Sequence, residues 1–266
     1  HTLDKAEALK EQLIAWRRDF HRHPEIGLQE HRTAGIVAKT LRELGYEVQE
    51  GIAKTGMIGL LENGEGPVVM NRVDMDALPI QEVNEVAYAS ENPGVMHACG
   101  HDAHVAIGLG IATLMARNRD AWKGTLKLIF QPGEEGMNGA EIMINEGALD
   151  HPRPDAALAV HVWNTLDVGT FGITSGPVMA AAEAWDAEIV GKGGHAAQPE
   201  RTVDPVVIAA ATVNTLQTIV SRNVSPLETA VVTVGFLRSG DTFNVIPERA
   251  EMQGTVRTFN PDAEGG

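Results

Sequence analysis

The chain has little cysteine, little basic charge and no long apolar runs. One cysteine in 266 residues excludes an internal disulfide, so the fold needs no oxidising compartment. The 21 basic residues face 36 acidic ones, and the net charge of −15 disfavours nucleic acid and anionic membranes as partners. No apolar run reaches the length of a transmembrane helix or resembles a secretory signal. These absences favour a cytoplasmic protein, and 43% hydrophobic residues allow it a proper core.

The first two thirds of the chain alternate between helical and strand-like patterns. Apolar residues recur at helical spacing in some segments, whereas others are short apolar runs bounded by turn residues. Such alternation predicts an α/β fold with a mostly parallel sheet. The predicted helices cover residues 9–20, 34–44, 103–115 (with Asp102 as N-cap) and 139–146, and the predicted strands cover 46–48, 57–61, 67–73, 125–130 and 156–160.

A second, smaller α+β unit is predicted to follow. Past Gly176-Pro177 the order becomes strand, helix, strand, strand, and Asp204-Pro205 is a strong helix start, with Asp at the N-cap and Pro at the first helical position. We therefore expect one domain over residues 1–177 and another over residues 178–266.

Residues 96–104, Met-His-Ala-Cys-Gly-His-Asp-Ala-His, are the most informative stretch of the chain. Cys99 and His101 are two residues apart, so in an extended or turning backbone their side chains project to the same side and can bind one metal ion. A lone cysteine is more often a small buried apolar residue. Three histidines and one aspartate in nine residues favour the metal site instead.

Ligand-type side chains also follow three of the predicted strands. They are Asp74 and Asp76, the pair Glu134 and Glu135 between glycines, and His161. Ligands collect at the carboxyl ends of parallel strands. The two aspartates could bind metal or orient a ligating imidazole, with a helix cap or turn as the alternative. The two glutamates could face one cavity, where one binds a metal and the other transfers a proton, or they could form a solvated turn. A lone histidine at the end of a strand, such as His161, is often structural.

Together, Cys99, His101, Glu135 and His161 supply sulfur, nitrogen and oxygen donors. That mixture suits zinc, manganese or cobalt, and a spare carboxylate favours catalysis over a closed structural site. In the second unit, His195 lies on a glycine-rich loop, and its alternative is an exposed loop histidine. A buried amide at Asn244 and a guanidinium at Arg257 could hold a substrate carboxylate or be structural.

Several long motifs occur in one order that resembles the M20 metallopeptidase family, in its amidohydrolase branch. That branch includes hippurate hydrolases, N-acyl-amino-acid amidohydrolases (aminoacylases) and plant hydrolases of auxin–amino-acid conjugates. The resemblance covers almost the whole chain and says less about the substrate than about the family. The motifs are residues 74–79, 97–104, 131–136, 191–197 and 243–247.

The resemblance implies a zinc-peptidase-like catalytic domain followed by a lid that forms a homodimer. It implies two divalent metal ions (Zn, Mn, Co or Ni) held by Cys99, His101, Glu135 and His161. Glu134 would be the general base that deprotonates the attacking water. His195 of the lid would add a donor to the oxyanion, often from the partner subunit, and Asn244 and Arg257 match positions associated with substrate binding. The implied reaction is hydrolysis of the amide bond of N-acyl amino acids.

The chain departs from the family pattern at its end. Members of the family return from the lid to the catalytic domain and bring a fifth ligand, a histidine, whereas no histidine follows His195 here. We therefore expect a C-terminally truncated chain, whose own activity is in question. Two alternatives stay open: a non-catalytic binding or dimerisation module of the same fold, and a dipeptidase or carboxypeptidase that uses the same chemistry.

Overall fold

A computed structural model describes residues 2–259, which divide into two compact units, one over residues 2–167 and the other over residues 168–259. The division falls ten residues before the predicted boundary at residue 177. None of the helices within residues 2–259 is both long and apolar enough to cross a membrane.

Within residues 2–167, the first unit contains five strands, five helices and a short 3₁₀ helix. Its elements are α1 (Thr2–Glu7), α2 (Lys10–Arg22), α3 (His31–Glu43), β1 (Glu47–Ile52), β2 (Gly56–Asn63), β3 (Val68–Asp74), α4 (His101–Arg117), the 3₁₀ helix Arg119–Ala121, β4 (Gly124–Gln131), α5 (Gly139–Asn145) and β5 (Ala156–Ala159).

The sheet of the first unit is mixed, so the prediction of a mostly parallel sheet is wrong. The strand order is β1-β2-β4-β3-β5, and only the β3–β4 and β3–β5 pairs are parallel. The short link between β1 and β2 makes that pair antiparallel, and β2 also runs antiparallel to β4. The chain turns at Asn63-Gly64 as predicted, but the strands on either side of this turn flank β4 instead of pairing with each other.

Helices cover both faces of this sheet. On one face α2, α3 and α4 bury the main core, which includes Phe20, Leu41, Leu109 and Phe130. On the other face α5 packs Met143 against Ile52, Ile58 and Ile129. Strand β4 is buried along almost its whole length, as expected for an apolar strand between two layers.

Helix α4 begins two residues earlier than predicted, and Asp102 does not cap it. The helix starts at His101, after Gly100 in the left-handed region at φ 87°. A side chain at position 100 would also approach Val162 Cγ2 to 2.4 Å, so only glycine fits there. Asp102 is fully buried inside the first turn, where it binds His21 and Arg17.

The elements of the second unit are β6 (Ala181–Val190), β7 (Gly194–His195), the 3₁₀ helix Pro199–Arg201, α6 (Pro205–Thr218), the π-helical turn Ile219–Asn223, β8 (Ala230–Ser239), β9 (Val245–Ile246) and β10 (Arg249–Thr258). Three of the strands form an antiparallel sheet of order β6-β10-β8, with α6 packed on it around Ala209, Ala250 and Met252. The predicted helix start is confirmed, because Asp204 accepts a hydrogen bond from the Val206 amide at 2.9 Å.

Candidate metal centre

Parallel pairing brings the ligand-type residues of the first unit to one edge of the sheet. Asp74 ends β3 and lies in register with Gln131, the last residue of β4. His161 follows the end of β5, on the other side of β3. The first turn of α4, which carries His101, meets the same edge through contacts with Asp74 and Asp76. The sequence prediction that these strand ends meet is confirmed.

His101 presents one free ring nitrogen to the other donors. Its Nδ1 donates to the Asp76 carbonyl oxygen at 2.8 Å, so in the neutral ring Nε2 carries the lone pair. Nε2 is buried and has no hydrogen-bond partner among residues 2–259. It lies 3.9 Å from Glu134 Oε2, 3.9 Å from Glu135 Oε1 and 3.6 Å from Asp74 Oδ2. A histidine whose other nitrogen donates to a carbonyl is the usual form of a metal ligand.

Cys99 and His161 form the second half of the cluster. The Cys99 Sγ atom lies 3.5 Å from His161 Nε2, and His161 Nδ1 donates to the Val162 carbonyl at 2.6 Å. His161 therefore also offers Nε2, as His101 does. Burial raises the pKa of the Cys99 thiol to about 12, and the Glu135 carboxylate adds to the rise. A bound divalent cation reverses this effect, because a coordinating thiol loses its proton.

The turn after β4 brings Glu134 and Glu135 to the same side. Gly133 and Gly136 adopt positive φ angles of 57° and 77°, so the backbone reverses around the two acids. Both carboxylates approach His101 Nε2 to 3.9 Å, so the turn brings them to the same side. Burial, and then the Glu135 charge, raises the pKa of Glu134. Glu134 is the more exposed of the two, at 41% against 25% for Glu135.

Asp74 and Asp76 form hydrogen bonds that orient the residues of the cluster. Asp74 accepts from Arg72 Nη1 at 2.6 Å and from His104 Nδ1 at 2.5 Å. Burial alone would raise the pKa of Asp74, but the His104 hydrogen bond and the Arg72 charge lower it to about 2. Asp76 Oδ2 accepts from the Glu135 amide at 2.9 Å. Burial alone would also raise the pKa of Asp76, but the contact with His101 lowers it.

His104 belongs to the cluster but has no free nitrogen. Its Nε2 accepts from the Val162 amide at 2.9 Å, so the ring proton lies on Nδ1 and is donated to Asp74. The ring also packs edge-on against His161, with centroids 4.6 Å apart. His104 therefore links β3, α4 and the segment after β5. Sequence reasoning noted His104 in the motif and assigned it no role.

The donor set fits divalent metal ions. Cys99, His101 and His161 form one group of mutually close donor atoms, and His101, Glu134 and Glu135 form another, each within 4.8 Å. Two of these atoms, His101 Nε2 and Glu135 Oε1, are buried without a hydrogen-bond partner among residues 2–259. Buried polar atoms without partners are rare, and a cation would satisfy both. Sulfur, imidazole and carboxylate together suit zinc and neighbouring transition ions.

Glu30, which sequence reasoning missed, supports the Glu134–Glu135 turn from outside. It is fully buried, and its Oε1 accepts from the Gly133 amide at 2.9 Å while Oε2 accepts from the Thr55 hydroxyl. Burial raises the pKa of Glu30. No sequence signal marks this residue, because its partners are distant along the chain.

Replacing Glu30 with alanine is expected to lower the free energy of unfolding by about 2–5 kcal/mol, because the Gly133 amide and the Thr55 hydroxyl lose their buried partner. Glu30→Gln keeps one acceptor for the Gly133 amide and offers a donor to Thr55, so we expect a loss of about 1 kcal/mol or less. Urea unfolding of the two variants measures this, and equal losses would contradict the hydrogen-bonding role.

A second buried ionic network lies beside the cluster. His21 Nδ1 lies 2.8 Å from Asp102 Oδ2 and its Nε2 lies 3.2 Å from Glu82 Oε1. Arg17 Nε also binds Asp102 Oδ2 at 2.8 Å. The Asp102 hydrogen bond raises the pKa of His21, with a further rise from Glu82, whereas burial and the Arg17 charge oppose them.

The raised pKa of His21 predicts a pH-dependent contribution to stability. Protonated His21 stabilises the fold fully below its unfolded pKa, and this contribution disappears as the pH rises through the folded pKa. His21→Gln is therefore expected to cost more at about pH 6 than at about pH 9. Urea unfolding at both pH values measures the difference, with the exposed His31→Gln as control. A cost that does not change with pH would show that His21 contributes without its charge.

The second unit brings two of its three predicted residues together. His195 lies in β7, opposite Val245 of β9, and the Ala196 amide donates to the Asn244 carbonyl at 3.1 Å. Asn244 is exposed, so the expectation of a buried amide is wrong: it precedes β9 in a surface turn beside Thr242. Arg257 lies in a different sheet, on β10, and its Nη1 donates to the Val256 carbonyl.

A sequence profile of peptidase family M20/M25/M40 matches residues 70–265. The chain is 44% identical over 255 residues to an N-acetyl-L-cysteine deacetylase of Bacillus subtilis and 45% identical over 256 residues to an N-acyl-L-amino acid amidohydrolase of Geobacillus stearothermophilus. These alignments cover 96% of this chain, and 61% and 69% of those relatives. A thermostable carboxypeptidase of Saccharolobus solfataricus is 40% identical over 256 residues, which are 95% of this chain and 65% of that one.

Two solved structures share the fold. One, from methicillin-resistant Staphylococcus aureus and provisionally called an aminohydrolase, has a TM-score of 0.92 and 36% identity over 98% of this chain and 70% of its own. The other is a Bacillus subtilis protein described as a dinuclear metal binding peptidase, with a TM-score of 0.79 and 38% identity over 97% of this chain and 67% of its own. The resemblance seen in the motifs is confirmed: the chain belongs to peptidase family M20/M25/M40.

Proposed function

We propose that this chain forms the metal-binding part of a hydrolase that cleaves the amide bond of N-acyl amino acids by means of an activated water. The observation that carries the proposal is the convergence on His101 Nε2. That atom is buried and unpartnered within residues 2–259, and it lies 3.9 Å from both Glu134 and Glu135. A ring nitrogen without a partner beside two carboxylates fits a catalytic metal centre.

Cys99, His101, Glu135 and His161 would hold two divalent ions, with Zn, Mn, Co or Ni as candidates. When bound, such ions acidify water and polarise the amide carbonyl. The Asp76 carbonyl keeps the proton of His101 on Nδ1, and Val162 does the same for His161, so both Nε2 atoms stay available. Asp74 is the neighbouring acid that fixes His104 against His161.

Glu134 is the proposed general base. Glu135 would be neutralised by binding metal, whereas the more exposed Glu134 stays free to accept a proton from water and to return it to the leaving amine. The amide of Glu135 is fixed by Asp76 and the amide of Gly133 by Glu30, so the turn holds the base in one position. Such fixed geometry is what proton transfer at a positioned side chain requires.

The substrate class follows from the relatives, two of which are named for N-acyl amino acids. In the second unit we propose that Asn244 and Arg257 bind the substrate carboxylate and that His195 donates to the developing oxyanion. We also propose a homodimer through the second unit and a cytoplasmic location. The relative named as a carboxypeptidase supports a second candidate, hydrolysis of peptides by the same chemistry.

A substrate panel tests the proposal. The protein is freed of metal with a chelator, and Zn, Mn or Co is added back before assay with hippurate, N-acetyl amino acids and dipeptides. We expect the N-acyl amino acids to be hydrolysed only after metal is restored. Preference for dipeptides would favour the peptidase. Metal binding without hydrolysis of either class would favour a non-catalytic binding module.

A further inference from the structure

A cavity of about 620 Å³ lies in the first unit directly beside the candidate metal ligands. Cys99 and His161 line one end of it, and every lining residue falls between Arg17 and Asn164. A ligand group that filled this cavity would therefore lie next to any amide bond bound at Cys99 and His161. The volume is within the range of small-molecule sites.

The cavity does not suit an anion. Its two cationic lining residues, Arg17 and His21, both already bind Asp102, and His21 also binds Glu82. The surrounding acidic groups would repel a carboxylate. Of the two ends of an N-acyl amino acid, the uncharged acyl end fits this electrostatic environment better than the carboxylate end.

Apolar side chains provide most of the remaining wall. Val86, Tyr88, Met96 and Trp163 line the cavity. The Tyr88 ring is held by the guanidinium groups of Arg17 and Arg18, at 5.1 and 4.9 Å from its centroid. Trp163 is half exposed and stands edge-on to the His161 ring at 5.8 Å. Such a wall favours an apolar or aromatic group over a small polar one.

His97 is a buried polar group in this wall. It is only 4% exposed, and neither of its ring nitrogens has a hydrogen-bond partner among residues 2–259. A buried imidazole without partners is costly, because it has lost its hydrogen bonds to water. It lines the cavity two residues before Cys99.

We propose that this cavity binds the acyl group of the substrate, and that His97 selects acyl groups with an apolar or aromatic body and one hydrogen-bonding atom. The assignment to the acyl end rests on the proposed hydrolysis of N-acyl amino acids. His97 is here a residue that determines specificity, distinct from the metal ligands and from Glu134.

Uncharged aromatic amides test the cavity without any turnover. Benzamide and its 2-, 3- and 4-hydroxy derivatives lack the amino-acid carboxylate, so their binding to the metal-loaded full chain reports on the acyl site alone. Calorimetric titration should give at least one hydroxybenzamide about two- to tenfold greater affinity than benzamide, the value of one net hydrogen bond. His97→Leu should abolish that difference while it changes benzamide binding by less than about twofold.

Two further variants control for packing. His97→Gln keeps a donor and an acceptor and should restore part of the preference, whereas Met96→Leu should affect all four amides alike. Metal content and thermal unfolding show whether each variant is folded. A preference that persists in His97→Leu, an equal loss for all four amides, or no binding of any of them would overturn the proposal.

The outcomes separate this proposal from the proposed reaction. If N-acyl amino acids are hydrolysed and His97→Leu leaves the amide preference intact, only the acyl site is wrong. If the preference depends on His97 and no N-acyl amino acid is hydrolysed, the cavity is supported and the proposed reaction is contradicted.

Discussion

Glu134→Gln is expected to reduce kcat for hydrolysis of an N-acyl amino acid by about 10²–10⁴-fold, the usual contribution of a general base. The amide of glutamine has nearly the same shape but cannot accept the proton of the attacking water. Because we place Glu135 and not Glu134 among the metal ligands, the bound metal should stay at the wild-type level. Steady-state kinetics together with elemental analysis of the same sample measure both quantities.

Glu141→Gln is the matched control for this substitution. Glu141 is an exposed glutamate in the first turn of the neighbouring helix α5, so its replacement removes the same charge close by without touching the cluster. We expect no more than about a twofold change in kcat. If Glu134→Gln keeps the wild-type rate, Glu134 is not the base, whatever the metal content.

His101→Ala should have the largest effect on metal binding. All three groups of mutually close donor atoms found within residues 2–259 include His101, so its loss removes a shared donor from each. We expect the variant to retain fewer metal ions than the wild type and to lose amide hydrolysis, since loss of even an indirect partner of a ligand costs about 10–100-fold in metal affinity. Elemental analysis after dialysis measures retention.

The control for His101→Ala is His31→Ala, at an exposed position that begins α3. It should retain all metal and activity. His101→Ala also removes the donor for the Asp76 carbonyl, so circular dichroism must show that the variant is folded before its metal content is interpreted. A folded His101→Ala protein with the wild-type metal content would show that the ions bind elsewhere.

Local patterns predicted the elements and the convergence of the site well. The apolar run of β4 and the placement of Asp74, Glu134, Glu135 and His161 after strands follow from periodicity and from the rule for strand ends. The side chains of Cys99 and His101 lie close together, as their spacing predicts. His101 lies on α4, and its ring is oriented by the carbonyl of Asp76.

What sequence could not predict depends on distant partners. Aspartate is a residue type that often caps helices, but His21 and Arg17 bind Asp102 inside the first turn of α4. Nothing near Glu30 in sequence indicates that it would bind Thr55 and Gly133. The direction of β2 relative to β4 is likewise a property of pairing, which alternation along one strand does not encode.

Diffraction from crystals grown with zinc or manganese, with anomalous differences collected at the metal edge, tests most directly whether this cluster is a metal centre. We predict two ions per chain, with the His101 and His161 Nε2 atoms about 2.0–2.1 Å from metal and the Cys99 sulfur about 2.3 Å away when the metal is zinc. One ion or none at these side chains in a folded protein supplied with excess metal would contradict a two-metal hydrolase.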